Sequence, residues 1–477
     1  MTRWLALLAA CLITVTGVSA CGDDDDTPAP TGTSGRGGAG GRRAGGTGGG
    51  DGVSGVGGDA ASGEGAAAAG GTTQGGRSGA GGRAGNPATG GRSGSSGRLA
   101  GGGAGGDNTD LDGGVSGPPI DSLAANLRVT LALLFSEHVA LTSRASGASL
   151  AGRSDEFNAY YDQVRDNGLR IGDYIGLFEG QASSRFAELW GAHDLAFVNY
   201  TKAVAAENTE KQTEALGELR DRFVPQFAAF LHGTSDLSEE LLTQLTTAQV
   251  DAIKAVIDAQ HGDDWTRIFE LQHTAYANML TFSDAVSLAL VERVPHVFTG
   301  DPVGKDVDFR LSLNDLLQEH VYLATWTTAA TRGERTLEAD AARAALGENR
   351  ASIALVFDSY YNAQAVDRFN AIWNSHNGAL IDYGTEDGSD RESADTILTT
   401  SFVPMFADLI HETAGLPISD VRMFGAEHIT RLKAAIDFIV AENLEQAALA
   451  DIAAAQYMVS LGDPLSRAIV AQQPDRF

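Results

Sequence analysis

Four histidines occur in repeated local sequences whose residue types are suited to metal binding. Glu-His-Val and Trp-x-x-His each occur twice, and the histidines concerned are His138, His193, His320 and His376. Imidazole nitrogens bind zinc and iron, and carboxylates commonly complete such N/O sites. Four carboxylates also recur at matching places, so the candidate ligands include Glu137, Asp284, Glu319 and Asp463.

The histidines lie on apolar stripes of predicted helices. Leu134, His138 and Leu141 follow a spacing of four and three residues, and His193 is four residues before Phe197. These intervals place each histidine on the face that packs into a core. Because desolvation lowers the pKa of a buried imidazole, the ring stays neutral, which is the form that binds metals.

A hydrogen-bonded structural network is the alternative to a metal site. Glu137 lies about 100° around the helix from His138, so the two side chains need not meet at one atom. His232 and His411 also occur in similar local sequences but fall off the apolar stripe at a helix end, which favours a capping or dipole role. His428 has no matching histidine and is not among the predicted ligands.

The candidate ligands belong to a long internal repeat. The stretch from Arg128 to Phe298 is matched by the stretch from Arg310 to Phe477. Helical periodicity runs through both copies, strand signals are weak, and each copy is long enough for a core of its own. We predict an all-α fold of two tandem, pseudo-symmetric antiparallel helical bundles of about six helices each, at residues 119–298 and 301–477.

The N-terminal sequence predicts export and lipidation. An apolar run from Trp4 to Val18 ends in small residues followed by Cys21, which resembles a bacterial lipobox. Residues 1–20 are therefore predicted to be a lipoprotein signal peptide, with lipid carried on Cys21. Cys11 lies in the segment that would be removed, so the mature chain would have no disulfide.

Residues 21–118 are rich in Gly, Ser and Ala and contain few large apolar residues. Such a segment cannot offset its ordering entropy, so we predict a disordered tether with a reach on the order of 55 Å. We expect the protein in the bacterial cell envelope, extracytoplasmic, at the outer membrane or cell surface. Its membrane contact would be the lipid on Cys21.

The formal net charge of −28 disfavours nucleic acid as a partner, since phosphate binding requires a basic surface. The sequence also has no P-loop, no Gly-x-Ser-x-Gly elbow and no His-Glu-x-x-His motif outside the compositional bias of the tether. Nucleotide-binding and common hydrolase functions therefore have no support.

Several runs resemble a family of uncharacterised bacterial all-helical proteins that typically carry one copy. The matching runs surround Glu137 to Val139, Asn167 to Gly172 and Trp190 to Ala205, and include the Met/Asp segment near the end of each copy. The family's last helix carries a His-x-His. This chain has Tyr276 with Asn278, and Ala455 with Tyr457, at those places. The resemblance supports the fold and implies no activity.

We interpret the chain as a lipid-anchored binding or interaction module, for an unknown protein or small-molecule ligand, with no assignable enzymatic activity. The alternative is a metal-binding protein or metal-dependent enzyme that uses the inward His/carboxylate clusters, with zinc or iron as the metal. A structural protein with inert polar interiors is the third possibility.

Overall fold

The computed structural model describes residues 119–477. The predicted signal peptide, Cys21 and the predicted tether lie outside these described residues. Every regular element from Pro119 onward is helical, which confirms the all-α prediction. Within this part of the chain, no helix has the length and apolar character needed to cross a membrane.

Copy one consists of six consecutive helical segments, the fourth of which is interrupted by a π-helix. They are α1 (Leu123–Leu150), α2 (Ser154–Ile175), α3 (Ala182–Ala205), α4 (Thr209–Gly217) with a π-helix (Glu218–Phe223) and α5 (Val224–Ser235), α6 (Glu239–His261) and α7 (Trp265–Arg293). The hydroxyl groups of Ser122 and Ser238 cap α1 and α6 by accepting a backbone N–H of the first turn. These caps satisfy amides that a helix start leaves free.

Copy two repeats this order. Its segments are α8 (Lys305–Arg332), α9 (Thr336–Tyr360), α10 (Ala363–Thr385), α11 (Gly388–Thr396) with a π-helix (Ile397–Phe402) and α12 (Val403–Ala414), α13 (Ile418–Val440), and α14 (Leu444–Tyr457) with α15 (Val459–Gln472). Pro464 lies inside α15. The predicted number of about six helices for each copy is confirmed when contiguous segments are counted together.

The two π-helical segments occupy the same position in both copies because the same proline follows them. Pro225 and Pro404 are each the second residue of the helix that comes next. Proline has no N–H, and its ring clashes with the carbonyl four residues earlier, so the preceding turn widens. The widened turns end at Phe223 and Phe402, which contact the core histidines.

The copies pack against each other through reciprocal contacts of α1 and α8. Arg128 on α1 donates a hydrogen bond to the Asp308 carboxylate of copy two at 2.6 Å. Arg310, at the matching place on α8, donates to Asn126 Oδ1 of copy one at 2.6 Å. Each arginine also donates to a backbone carbonyl of the opposite copy. This reciprocity is the pattern of an approximate two-fold axis.

The apolar core is continuous between the copies. One cluster of buried side chains includes Leu131 and Phe282 of copy one together with Leu317 and Leu465 of copy two. A second cluster packs Leu141 of α1 with side chains of α14. Neither copy therefore buries its apolar faces by itself.

Candidate metal sites

Three histidines from three helices of copy two face one another in the core. His320 on α8, His376 on α10 and His428 on α13 are each at most 4% exposed. The Nε2 atoms of His320 and His376 lie 3.2 Å apart. The His428 ring centroid lies 5.8 Å and 5.4 Å from those of the other two rings. One ring nitrogen from each histidine lies within 4.8 Å of the others, and this cluster is named site two.

Burial keeps the imidazoles of site two neutral. Desolvation lowers the pKa of His428 to about 4. Desolvation, followed by repulsion from the neighbouring imidazoles, also holds the pKa values of His320 and His376 well below the ordinary range. A neutral ring has a nitrogen lone pair free for coordination, so site two offers three ligands near neutral pH.

Four of the six ring nitrogens of site two lack the partners that buried polar atoms normally have, whereas the facing Nε2 atoms of His320 and His376 lie within hydrogen-bond distance of each other. Nδ1 of His320, Nδ1 of His376 and both nitrogens of His428 have no hydrogen-bond partner among residues 119–477. Each unpaired buried polar group costs about 1–3 kcal/mol. A tetrahedral ion with metal–nitrogen bonds of about 2.0–2.1 Å separates two ligand nitrogens by about 3.3 Å. The 3.2 Å between the facing Nε2 atoms fits this separation.

Aromatic rings hold the histidines of site two in position. Phe402, at the end of the π-helix, stacks on His376 with centroids 4.0 Å apart and an interplanar angle of 19°. Trp373 lies 5.1 Å from His320 and 5.4 Å from His376, measured between ring centroids. Because packing restricts these rings before any ligand arrives, binding would cost little side-chain ordering.

The corresponding cluster in copy one contains two histidines and a carboxylate. His138 on α1 and His193 on α3 have ring centroids 5.7 Å apart. Oδ1 of Asp194 lies 3.1 Å from His193 Nδ1 and 3.8 Å from His138 Nε2. All three side chains are buried, and one ligand atom of each lies within 4.8 Å of the others. This cluster is named site one.

The ligand atoms of site one differ in whether they already have hydrogen-bond partners. Both nitrogens of His138 and Oδ2 of Asp194 have no hydrogen-bond partner in the described part of the chain. His193 is already engaged, because its Nδ1 lies 3.2 Å from the Trp190 carbonyl and its Nε2 lies 3.2 Å from the Gln249 amide nitrogen. Desolvation lowers the pKa of His138 to about 4, against an opposing effect of the Asp194 carboxylate. Metal binding at site one would require His193 to give up a hydrogen bond.

Each site has two histidines at matching positions, and the sites differ in the third ligand. Asp194 of copy one is matched by Asn377 of copy two, directly after the shared histidine, and Gln249 on α6 is matched by His428 on α13. Site two therefore offers three imidazoles, whereas site one offers two imidazoles and a carboxylate. Three histidines with an open fourth position are typical of zinc, and two histidines with a carboxylate suit zinc or non-haem iron.

The predicted ligands Glu137 and Glu319 lie at the boundary between the copies, away from the histidine clusters. Glu137 accepts a hydrogen bond from Gln456 of copy two at 2.9 Å, and Glu319 accepts one from His273 of copy one at 2.7 Å. The hydrogen bond to Glu319 raises the pKa of His273. Because a glutamate lies about 100° around the helix from the following histidine, the two side chains reach different neighbours.

The predicted ligands Asp284 and Asp463 also lie away from the clusters. Asp284 accepts two hydrogen bonds from Arg128, at 2.8 and 3.0 Å, and Asp463 accepts two from Arg310, at 2.7 and 2.5 Å. A buried guanidinium requires a nearby anion, and the bidentate carboxylate provides it. Of the eight predicted metal ligands, the structure brings only the four histidines into the clusters.

The sequence-based prediction missed Asp194 and His428. It selected residues that are the same in both copies, and these two positions differ between the copies. A periodic signal for His428 was present, because Val421, Gly425, His428 and Leu432 follow four-three-four spacing on α13 and are all buried. Asp194 had only its position after His193 to suggest a role.

Comparison of the chain with protein families, with curated proteins and with solved structures gives no match. The interpretation of the two sites therefore depends on their own geometry.

Proposed function

We propose that residues 119–477 form a transition-metal-binding module, held at the bacterial cell envelope by a lipid on Cys21. The observation that supports metal binding most strongly is site two. Three buried, neutral imidazoles face one another there, and four of their ring nitrogens have no hydrogen-bond partner within the described region. The N/O ligands of both sites suit zinc or iron.

The envelope location is supported by the lipobox-like sequence before Cys21 and by the tether-like composition of residues 21–118. The acidic charge of the chain favours cations near its surface over nucleic acid. A protein or small-molecule ligand remains the partner if the module binds no metal. A metal-dependent enzyme would use the same histidines. Its activity would need an assay of its own, because metal content alone does not show catalysis.

Metal analysis of the full-length protein after purification from metal-replete medium tests this proposal. We expect one zinc or iron ion for each site, with one ion lost in His138→Ala and the other in His320→Ala. His261→Ala is the matched control, because His261 is exposed and lies outside both sites. Folded wild-type protein without stoichiometric metal would refute the metal function and leave the interaction module.

A further inference from the structure

A cleft of about 480 Å³ opens on copy one beside site one. It lies between α2, α3 and the first half of α14, which belongs to copy two. Gly168 and Trp190 line it, and so does Asp194, whose exposed fraction is only 4%. Asp194 is therefore the residue of site one that borders the cleft.

Asp194 connects this cleft with the histidines of site one. Its Oδ1 lies 3.1 Å from His193 and 3.8 Å from His138, as described above. Its Oδ2 is buried and has no hydrogen-bond partner in the described chain. An unpaired buried carboxylate oxygen is costly, and a cation arriving through the cleft would compensate it.

The charge of the cleft also favours a cation. Its lining includes the carboxylates of Asp162, Asp166 and Glu445 in addition to Asp194. One arginine, Arg165, lines it as well and lies 3.8 Å from Asp162. Clefts lined mostly by one sign of charge concentrate the opposite ion and accelerate its association.

Copy two has a hydrogen-bonded pair of larger side chains at two matching places of this cleft, although Gly347 and Ala351 are smaller than their counterparts Arg165 and Leu169. Arg350 replaces Gly168, Asn370 replaces Ala187, and the Arg350 guanidinium donates a hydrogen bond to Asn370 Oδ1. Gly168 has no room for a side chain, since a Cβ there would lie 2.7 Å from Trp190 Cδ1. The Arg350–Asn370 pair therefore occupies the region of copy two that corresponds to the cleft walls of copy one.

The acidic lining is also reduced in copy two. Ala344, Asn377 and Thr266 stand where copy one and its neighbouring helix have Asp162, Asp194 and Glu445. Only Asp166 has an acidic counterpart, Glu348. The two copies thus differ both in the space beside the site and in the charge that would attract a cation. The ligands of both clusters are at most 4% exposed, so the copies differ in what lies beside the site and not in the burial of the ligands.

We propose that the cleft is the access route for a divalent transition-metal ion, so that site one exchanges its ion rapidly while site two retains its ion. This inference rests on the proposed metal function. It divides the two sites into an exchangeable site, with His138, His193 and Asp194, and a retaining site, with His320, His376 and His428. The Arg350–Asn370 pair is the feature that slows exchange at site two.

Release of Co²⁺ from the full-length protein tests the proposal. The protein is loaded with Co²⁺, excess EDTA is added, and the loss of the visible Co²⁺ absorption is followed by stopped flow. We expect a fast and a slow phase, each for one ion. His138→Ala should lose the fast phase and His320→Ala the slow phase.

Exchanging the cleft residues between the copies gives a matched pair of variants. Ala187→Asn should slow the fast phase towards the rate of the slow one, with both ions still bound, and it leaves Gly168, which has no room for a side chain, unchanged. Arg350→Gly with Asn370→Ala should accelerate the slow phase.

A second variant tests the charge of the cleft. Asp166→Asn with Glu445→Gln changes two cleft carboxylates and should slow Co²⁺ association at site one about tenfold at low salt, with unchanged stoichiometry.

Two outcomes separate the inference from the function it rests on. If neither site takes up Co²⁺, both the metal function and the access route are refuted. If two ions bind but leave wild-type protein with one common rate, only the access route is refuted. A fast phase that is unchanged in the folded cleft variants would also overturn it.

Discussion

Replacement of His428 by glutamine should weaken metal binding at site two while leaving site one intact. Glutamine is the residue that copy one has at the matching position, Gln249, so the bundle already accommodates it there. Structural zinc sites contribute about 10–16 kcal/mol over four ligands, or roughly 2.5–4 kcal/mol for each ligand. Loss of one ligand should therefore weaken metal binding at site two by about two to three orders of magnitude.

The same substitution should change the acid sensitivity of the metal-free protein. Burial lowers the pKa of His428 to about 4, whereas an unfolded histidine has a pKa of about 6.5. Between these values the unfolded chain binds the proton and the folded chain does not, so the histidine's contribution to stability decreases as the pH falls from about 6.5 to 4. A pKa shift of this size corresponds to about 3 kcal/mol of unfolding free energy. The wild type loses this amount as the pH falls, and the variant, which lacks His428, does not.

Comparing the variant with the wild type separates the effect of His428 from that of carboxyl groups whose effect on acid stability has the opposite sign. Burial raises the pKa of Asp315 to about 7 and that of Asp451 to about 6, so these carboxyls favour the folded state as the pH falls. Their contributions are the same in both proteins and cancel in the difference.

Two measurements check the prediction for His428→Gln. Competition titration with a chromophoric zinc chelator gives the affinity of each site, and urea unfolding of metal-free protein at pH 4 to 7 gives the free energy of unfolding. Gln249→His is the matched control and should retain site two. Unchanged zinc affinity at site two, or parallel stability curves for variant and wild type between pH 4 and 6.5, would refute the reasoning.

Three further predictions concern the scaffold and the anchor. Arg310→Ala should lower the free energy of unfolding by about 3 kcal/mol, because Asp463 loses its buried partner. The control Arg222→Ala, in an exposed ion pair, should lower it by under about 1 kcal/mol. Equal effects of the two substitutions in urea denaturation would contradict this. Cys21→Ser should move the protein from the membrane to the soluble fraction, and retention in membranes would argue against lipidation. Residues 119–298 expressed alone should show no cooperative thermal unfolding, since the core is shared; a sharp transition would show an independent domain.

Much of the fold followed from local patterns. Spacings such as Leu134, His138 and Leu141 identify a helix and its buried face, because helical periodicity depends only on neighbouring residues. The duplication predicted two equivalent bundles, and the matching π-helices before Pro225 and Pro404 are a direct result of repeated sequence. The burial of the four repeated histidines was predicted for the same reason.

The composition of the sites did not follow from these patterns. Residues shared by both copies included Glu137 and Asp284, whose partners lie across the boundary between the copies or in a buried ion pair. The third ligands, Asp194 and His428, occupy positions where the copies differ. Identity between the copies therefore selected residues of the common scaffold as well as residues of the sites.

The sequence by itself determined the helical class, the duplication and the inward direction of His138, His193, His320 and His376. Only the tertiary structure decided which polar groups meet those rings. The periodicity of a helix specifies the face on which a side chain lies, but the contact across a bundle also depends on how far each helix is shifted and rotated relative to its neighbours. Those shifts are set by packing of the whole core, which brings His428 of α13 to the histidines and directs Glu319 to the opposite copy.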